Sequence, residues 1–143
     1  MTLQKIEIEI IQEFEQLNNW EEKYEYLIEL GKKLKPMSSK DKNANTLIKN
    51  CQSKVWINAK LIDKYIILQA DSDAILPKGI AALMLRLYSG RHPKEIINSN
   101  KYVFSTIGLE SFLSPIRANG MLEMFKTIKL YAIAFNLKLK TTL

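Results

Sequence analysis

The hydrophobic period of this chain changes twice, and that change constrains the fold more than any other feature. Ile6, Ile10, Phe14 and Leu17 recur at helical spacing, which predicts a first helix over residues 3–17. Asn18-Asn19 ends it, and Asn19 with Glu22 three residues on forms a capping-box pair for a second helix. Trp20, Tyr24, Leu27, Ile28 and Leu34 mark one face of that helix, which stops before Pro36. Residues 36–45 are polar and read as loop.

The pattern then becomes β-prone. The runs 46–49, 54–61 and 65–69 are rich in Ile, Val, Leu and aromatic residues, with short connections between them, which predicts an antiparallel meander of three strands. The helical period returns at Ile80, Leu83, Met84, Leu87 and Tyr88, closed by Gly90. His92-Pro93 opens a short helix with Pro at its first position, and residues 100–113 read as short helical turns. Met121, Met124, Phe125, Ile128, Ala132 and Phe135 mark a long last helix, with its methionines as core. The expected fold class is α+β: a three-stranded antiparallel sheet packed with five to six helices.

A chain of 143 residues without repeats, low-complexity tracts or linkers suits one domain over residues 1–143 with a single core. No apolar run approaches the roughly 20 residues of a membrane span. The N-terminal MTLQKIEIEI has no basic region leading into an apolar stretch, so no secretory signal is expected. The single cysteine excludes an internal disulfide and fits a reducing compartment, with the cytoplasm as the expected location.

Charge is unevenly spread. Residues 1–35 carry 8 Glu against 5 Lys, whereas residues 36–143 carry 16 basic against 7 acidic side chains. The basic residues are dispersed, with no run longer than Lys32-Lys33 and no interleaved aromatics of the kind that stack bases. An acidic protein partner is therefore expected rather than nucleic acid; a nucleic-acid module would show steeply salt-dependent binding.

Cys51 is the residue with chemical promise. A lone cysteine is commonly a small core hydrophobe, yet this one lies among Asn50, Gln52 and Ser53 in a turn between the first two expected strands. Lys49 and Lys54 are close in sequence, where they would favour the nucleophilic thiolate. On the residues alone, core filler and reactive thiol both stay open. A cysteine hydrolase would need a base, and the single histidine, His92, is better read as a helix cap. One Cys and one His do not make a zinc site, and a dithiol redox pair lacks its second cysteine. What remains is chemistry that needs one thiol and no base of its own, such as receiving a group from another protein. Asp71 and Asp73 form a carboxylate pair of the kind that binds Mg²⁺, but they stand before a helix, where Ser72 or Asp73 as a cap is the simpler reading. Gly79 lies inside a helix at a cost of about 1 kcal/mol relative to Ala, which points to a close backbone approach; the cysteine turn is one candidate.

The motifs, taken together, resemble the SufE family of sulfur acceptors in iron–sulfur cluster assembly. They run from Trp20 to Met124 in order: W…Y-x-x-L-I-x-L-G-x-x-L at Trp20 to Leu34, C-Q-S-x-V-W at Cys51 to Trp56, A-D-S-D-A at Ala70 to Ala74, K-G at Lys78-Gly79, Y-S-G-x-x-P-x-E-I at Tyr88 to Ile96, and L-S-P-x-R-x-N-G-x-x-x-M at Leu113 to Met124. The resemblance implies that Cys51 takes sulfur as a persulfide from a pyridoxal-phosphate cysteine desulfurase, stimulates that enzyme, and passes the sulfur to an iron–sulfur scaffold complex. The pyridoxal cofactor would reside on the partner, with no cofactor or metal on this chain and no independent enzyme activity. It further implies a cysteine loop that tucks its thiol into an apolar cavity and swings out on docking. Arg117 matches an arginine that contributes to docking, although a surface arginine at a helix start is the plain reading. Asn50, Gln52 and Ser53 match the contact loop. Asn50 stands where the family usually has Gly, and Asn tolerates positive φ next best after Gly. His92 stands where a small hydroxyl residue is usual. An activator of the desulfurase that carries no sulfur is the alternative function.

Overall fold

The hairpin at residues 55–72 is the part of the chain that the alternation of side chains specifies most directly. The structure, a computed structural model, describes residues 2–49 and 51–141. Strand β1 (Val55–Ile62) pairs antiparallel with β2 (Tyr65–Ser72), in a register running from Val55 opposite Ser72 to Ile62 opposite Tyr65. The two-residue turn places Asp63 at φ 56°, a left-handed conformation that Asp accepts more readily than most residues. Val55 and Ile57 from β1 and Ile66, Leu68 and Ala70 from β2 are buried.

Among the described residues two strands form, where three were expected. Residues 46–49 contribute a single antiparallel bridge, Leu47 to Trp56, held by Ile57 N–H to Thr46 O (2.9 Å) and Ile48 N–H to Val55 O (2.8 Å). The run is short, and its first residue is committed to the preceding turn. The Thr46 N–H donates to Asn43 O at 3.2 Å, and its hydroxyl donates to Asp41 O at 2.6 Å, so the turn takes the N–H that would have continued the ladder. On the other side, Ile66 bridges Arg91 beyond the second strand, so each edge of the hairpin is covered by one short segment.

Among the described residues the chain also forms seven helices, of which α3 and α7 pack most on the hairpin: α1 (Leu3–Glu15), α2 (Trp20–Lys32), α3 (Ile75–Tyr88), α4 (Pro93–Ile97), α5 (Tyr102–Thr106), α6 (Leu109–Phe112) and α7 (Pro115–Thr141). Asn19 caps α2 by accepting from Glu22 N–H at 2.9 Å, while the Glu22 carboxylate reaches back to Asn18 N–H at 2.7 Å. His92 caps α4 through Nδ1, which accepts from Lys94 N–H at 3.1 Å. The architecture is α+β, as expected, with more helices and fewer strands. Helix α3 is the central element, with Leu76, Ile80, Leu83, Met84, Leu87 and Tyr88 all buried. Met121, Met124, Phe125, Ile128 and Ala132 bury one face of α7 in the same core.

Gly79 does mark a close approach, but to α2 and not to the cysteine turn. A Cβ at that position would lie 2.3 Å from Leu27 O, and one at Gly31 would lie 2.9 Å from Gly79 N. The two glycines let the backbones of α2 and α3 meet directly. That contact fixes where α3 presents its first turns, which form one wall of the site.

Candidate functional site

Cys51 lies in the loop that joins the Leu47 bridge to β1, and the base of that loop is pinned from several sides. Ile48 N–H bonds Val55 O at 2.8 Å, and the Lys54 backbone is clamped by the segment that follows β2. Lys54 N–H donates to Asp73 Oδ1 at 3.0 Å, the Ser72 hydroxyl donates to Lys54 O at 2.7 Å, and Asp73 N–H donates to the same carbonyl at 3.1 Å. The A-D-S-D-A motif therefore serves the cysteine loop. The expected cap is absent in its simple form: the N-cap of α3 is Ala74, without a side-chain cap, and Ser72 Oγ accepts from Ala74 N–H. Asp71 pairs with Lys42 at 3.2 Å and Lys78 at 3.6 Å. Burial pushes the Asp71 carboxyl up, but the Ser72 N–H and the two ammonium groups outweigh it and hold it below the ordinary value. No group of three or more His, Cys, Asp or Glu is placed to hold a metal among the described residues.

Between these pins the Cys51 side chain turns inward and is half-buried. It lines a cavity of about 60 Å³ walled by Val55, Pro77, Ile80 and Met124, from β1, α3 and α7. The thiol faces the Gly120 carbonyl, 4.0 Å from Sγ. Gln52, Ser53 and Arg117 line the same cavity, with Ile116 beside Arg117 on its exposed side. The fold thus brings four of the residues singled out in the sequence to one place; Asn50 lies outside the described residues.

Arg117 is held by an aromatic group that the sequence reading treated only as a helix face. Its Nη1 donates to the Tyr24 hydroxyl at 3.4 Å. The Tyr24 ring meets Phe112 edge-on at 4.9 Å, and Phe112 stacks on Trp20 at 3.8 Å. Helices α2 and α6 therefore support the arginine at the N-terminal end of α7.

The electrostatics of the thiol run against expectation. Burial pushes the Cys51 pKa up, and the Glu123 carboxylate pushes it further in the same direction. Lys49 and Lys54 are exposed and do not bring it down. A cavity wall of aliphatic side chains disfavours the charged form, and a neighbouring anion adds to this. The resting group is a protonated thiol at neutral pH. The rate of Cys51 alkylation is accordingly expected to rise with pH at a midpoint above that of an unfolded cysteine. Glu123→Gln is expected to lower that midpoint only in part, because burial is the larger cause; an unchanged midpoint in that variant contradicts this account.

Two positions beside the thiol were missed in the sequence, for different reasons. Gly120 lies within a 27-residue helix, where Gly costs about 1 kcal/mol relative to Ala, so a close neighbour was to be expected there as at Gly79. Glu123 carried no signal, because its effect depends on which loop packs against α7. His92, engaged as the cap of α4, is not among the residues lining the Cys51 cavity.

A family model described as the SufE, Fe–S metabolism associated domain matches residues 8–132. An uncharacterized SufE-like protein of Synechocystis sp. is 38% identical over 128 residues, covering 90% of this chain and 80% of that protein. The solution structure of a hypothetical protein from Thermus thermophilus superposes with a TM-score of 0.78 at 17% identity, over 92% of this chain and 96% of the other. That last likeness is one of fold. Among the described residues, no helix is long and apolar enough to cross a membrane.

Proposed function

The chain belongs to the SufE family, associated with Fe–S metabolism, and we propose that it carries sulfur as a persulfide on Cys51. The observation that supports this reading most is the placement of the lone thiol: half-buried against a small aliphatic cavity, on a loop pinned at its base, with Arg117 at the opening. The sulfur donor is a cysteine desulfurase whose pyridoxal phosphate generates a persulfide on its own cysteine. The Cys51 thiolate attacks the terminal sulfur of that persulfide. A new S–S bond forms on Cys51, the old one breaks, and the electron pair leaves with the desulfurase thiolate. One thiolate and one persulfide go in and the same two groups come out, so no oxidant or reductant is needed. The same exchange in the next step hands the sulfur to an iron–sulfur scaffold.

The protonated resting thiol gives this cycle a gate. Inside the cavity, burial and Glu123 suppress the nucleophilic form; swinging outward on docking removes both influences. Residues 51–53 lie between the pinned ends and make the moving part. Sulfur from radiolabelled cysteine is expected on this chain after incubation with a cysteine desulfurase, and reductant should release it. Label confined to the desulfurase contradicts the reading.

Arg117, with its neighbours Gln52 and Ser53, is the docking contact. Arg117→Ala is expected to raise the chain concentration needed for half-maximal desulfurase stimulation roughly five- to tenfold, about 1 kcal/mol for an exposed interface charge. The rate at saturating chain should be little changed. A loss confined to the saturated rate would place Arg117 in the chemistry rather than in docking.

A further inference from the structure

Helix α7 is apolar on two faces. Met121, Met124, Phe125, Ile128 and Ala132 bury one of them in the core. On the opposite face Leu130, Ile133 and Leu137 remain 66%, 45% and 58% exposed, and Ala134 lies exposed between them. Positions 130, 133, 134 and 137 follow the i, i+3, i+4, i+7 spacing by which one helix seats on another. The small residue in the middle lets a second backbone come close. An exposed apolar ridge of this kind marks an interaction site.

The charges around the ridge decide what covers it. Lys126, its side chain 70% exposed, stands at one end, and Lys138 and Lys140, both exposed, at the other. Lys129 is turned away to α4, donating to Ile97 O at 3.2 Å and to Ser99 O at 2.6 Å. Glu123, 3.6 Å from Lys126, is the one carboxylate on α7, and no Asp or Glu follows it in the chain. A second copy laid antiparallel along the ridge would set lysine against lysine at both ends, which is destabilising. A bilayer matches poorly as well. The other face of α7 is committed to the core, so the helix cannot sink into the interface as amphipathic membrane helices do. What fits is a helix with an apolar stripe of its own and Asp or Glu beside it.

We propose that residues 126–140 of α7 form a docking ridge for an acidic amphipathic helix of a partner protein. Gly120 is where α7 meets the Cys51 thiol. At 1.5 Å per residue, Leu130 and Leu137 lie about 15 and 25 Å from it along the axis. A partner gripping the ridge leaves the thiol and Arg117 uncovered, so one protein can hold the chain while another engages its thiol. Nothing in this docking depends on what Cys51 carries.

The probe for the test is a synthetic helical peptide of about 20 residues, above the length at which isolated helices are marginal. It carries Leu at i, i+3, i+4 and i+7 flanked by Glu, and a control peptide has Lys in place of Glu. Titration of the full chain is followed by its amide chemical shifts. The acidic peptide is expected to bind, with shifts confined to residues 126–140, and the basic one is not. Leu130→Ser combined with Leu137→Ser should weaken binding roughly tenfold. Lys126→Gln, Lys138→Gln and Lys140→Gln together should weaken it several-fold and flatten its salt dependence. All five positions are exposed, so the unfolding midpoint should stay where it is. Cys51 should be alkylated at the same rate with and without peptide. No binding of the acidic peptide, equal affinity for the two peptides, or shifts centred on Arg117 and the cysteine loop overturns the proposal. Self-association that Leu130→Ser and Leu137→Ser abolish also overturns it, in favour of a second copy. Tighter binding to phosphatidylcholine–phosphatidylglycerol vesicles than to the peptide overturns it in favour of lipid. A chain that binds the peptide on the ridge but takes no sulfur from a desulfurase loses the sulfur-carrier reading and keeps this one.

Discussion

Gly79→Ala is expected to destabilise the protein by about 3 kcal/mol, at the upper end of overpacking costs, although the same change on an exposed helix would stabilise by about 1 kcal/mol. The sign is decided by the neighbour. The added Cβ would stand 2.3 Å from Leu27 O and 2.7 Å from Leu27 C, both backbone atoms that cannot move aside as the end of a flexible side chain does. Helix α2 has to lift from α3, which loosens the packing around Leu27 and Ile80, each only 1% exposed. At about 2–4 °C per kcal/mol for a domain near this size, the unfolding midpoint should fall by roughly 10 °C. Gly31→Ala, with its nearest backbone contact at 2.9 Å, should cost less. Thermal unfolding of both variants measures this directly, and a Gly79→Ala protein as stable as wild type contradicts the close-packed crossing.

Cys51→Ser separates the thiol's chemistry from its packing. The side chain is half-buried and its polar contact is the long approach to Gly120 O, so the unfolding midpoint should move by little. Sulfur acceptance should vanish, because a hydroxyl at neutral pH is neither ionised nor a soft nucleophile toward sulfur. Stimulation of the desulfurase should go with it, since the variant still docks through Arg117 but cannot clear the persulfide. Full stimulation by the serine variant would favour the alternative in which the chain activates its partner without carrying sulfur.

Much of this arrangement was legible in the residues. The periodicity from Ile80 to Tyr88 located α3 and its buried face, and Asn19 and His92 did cap their helices. Cys51, Gln52, Ser53 and Arg117, read off as motif positions far apart in sequence, line one cavity. Three things were not legible, each for a physical reason. The third strand was lost because the Thr46 N–H bonds Asn43 in the preceding turn instead of continuing the ladder, a local competition that β-propensity does not register. The lysines beside Cys51 suggested an activated thiolate, yet they are exposed to solvent, and burial with Glu123 from a distant helix decides the matter. Gly79 announced a close approach, but a glycine names no partner, and the sequence offered no means of choosing α2 over the cysteine loop. The SufE family membership rests on extended similarity, whereas the roles proposed for the residues at the cavity are argued from where they lie.

The most direct test of the account is intact mass spectrometry of the chain under non-reducing conditions, after incubation with a cysteine desulfurase and free cysteine, with Cys51→Ser treated in parallel. A gain of one sulfur, or two, on the wild-type chain is predicted, removed by reductant and absent from the variant. An unchanged wild-type mass while desulfurase turnover still rises would contradict it, and would leave the chain an activator with Cys51 as part of its structure.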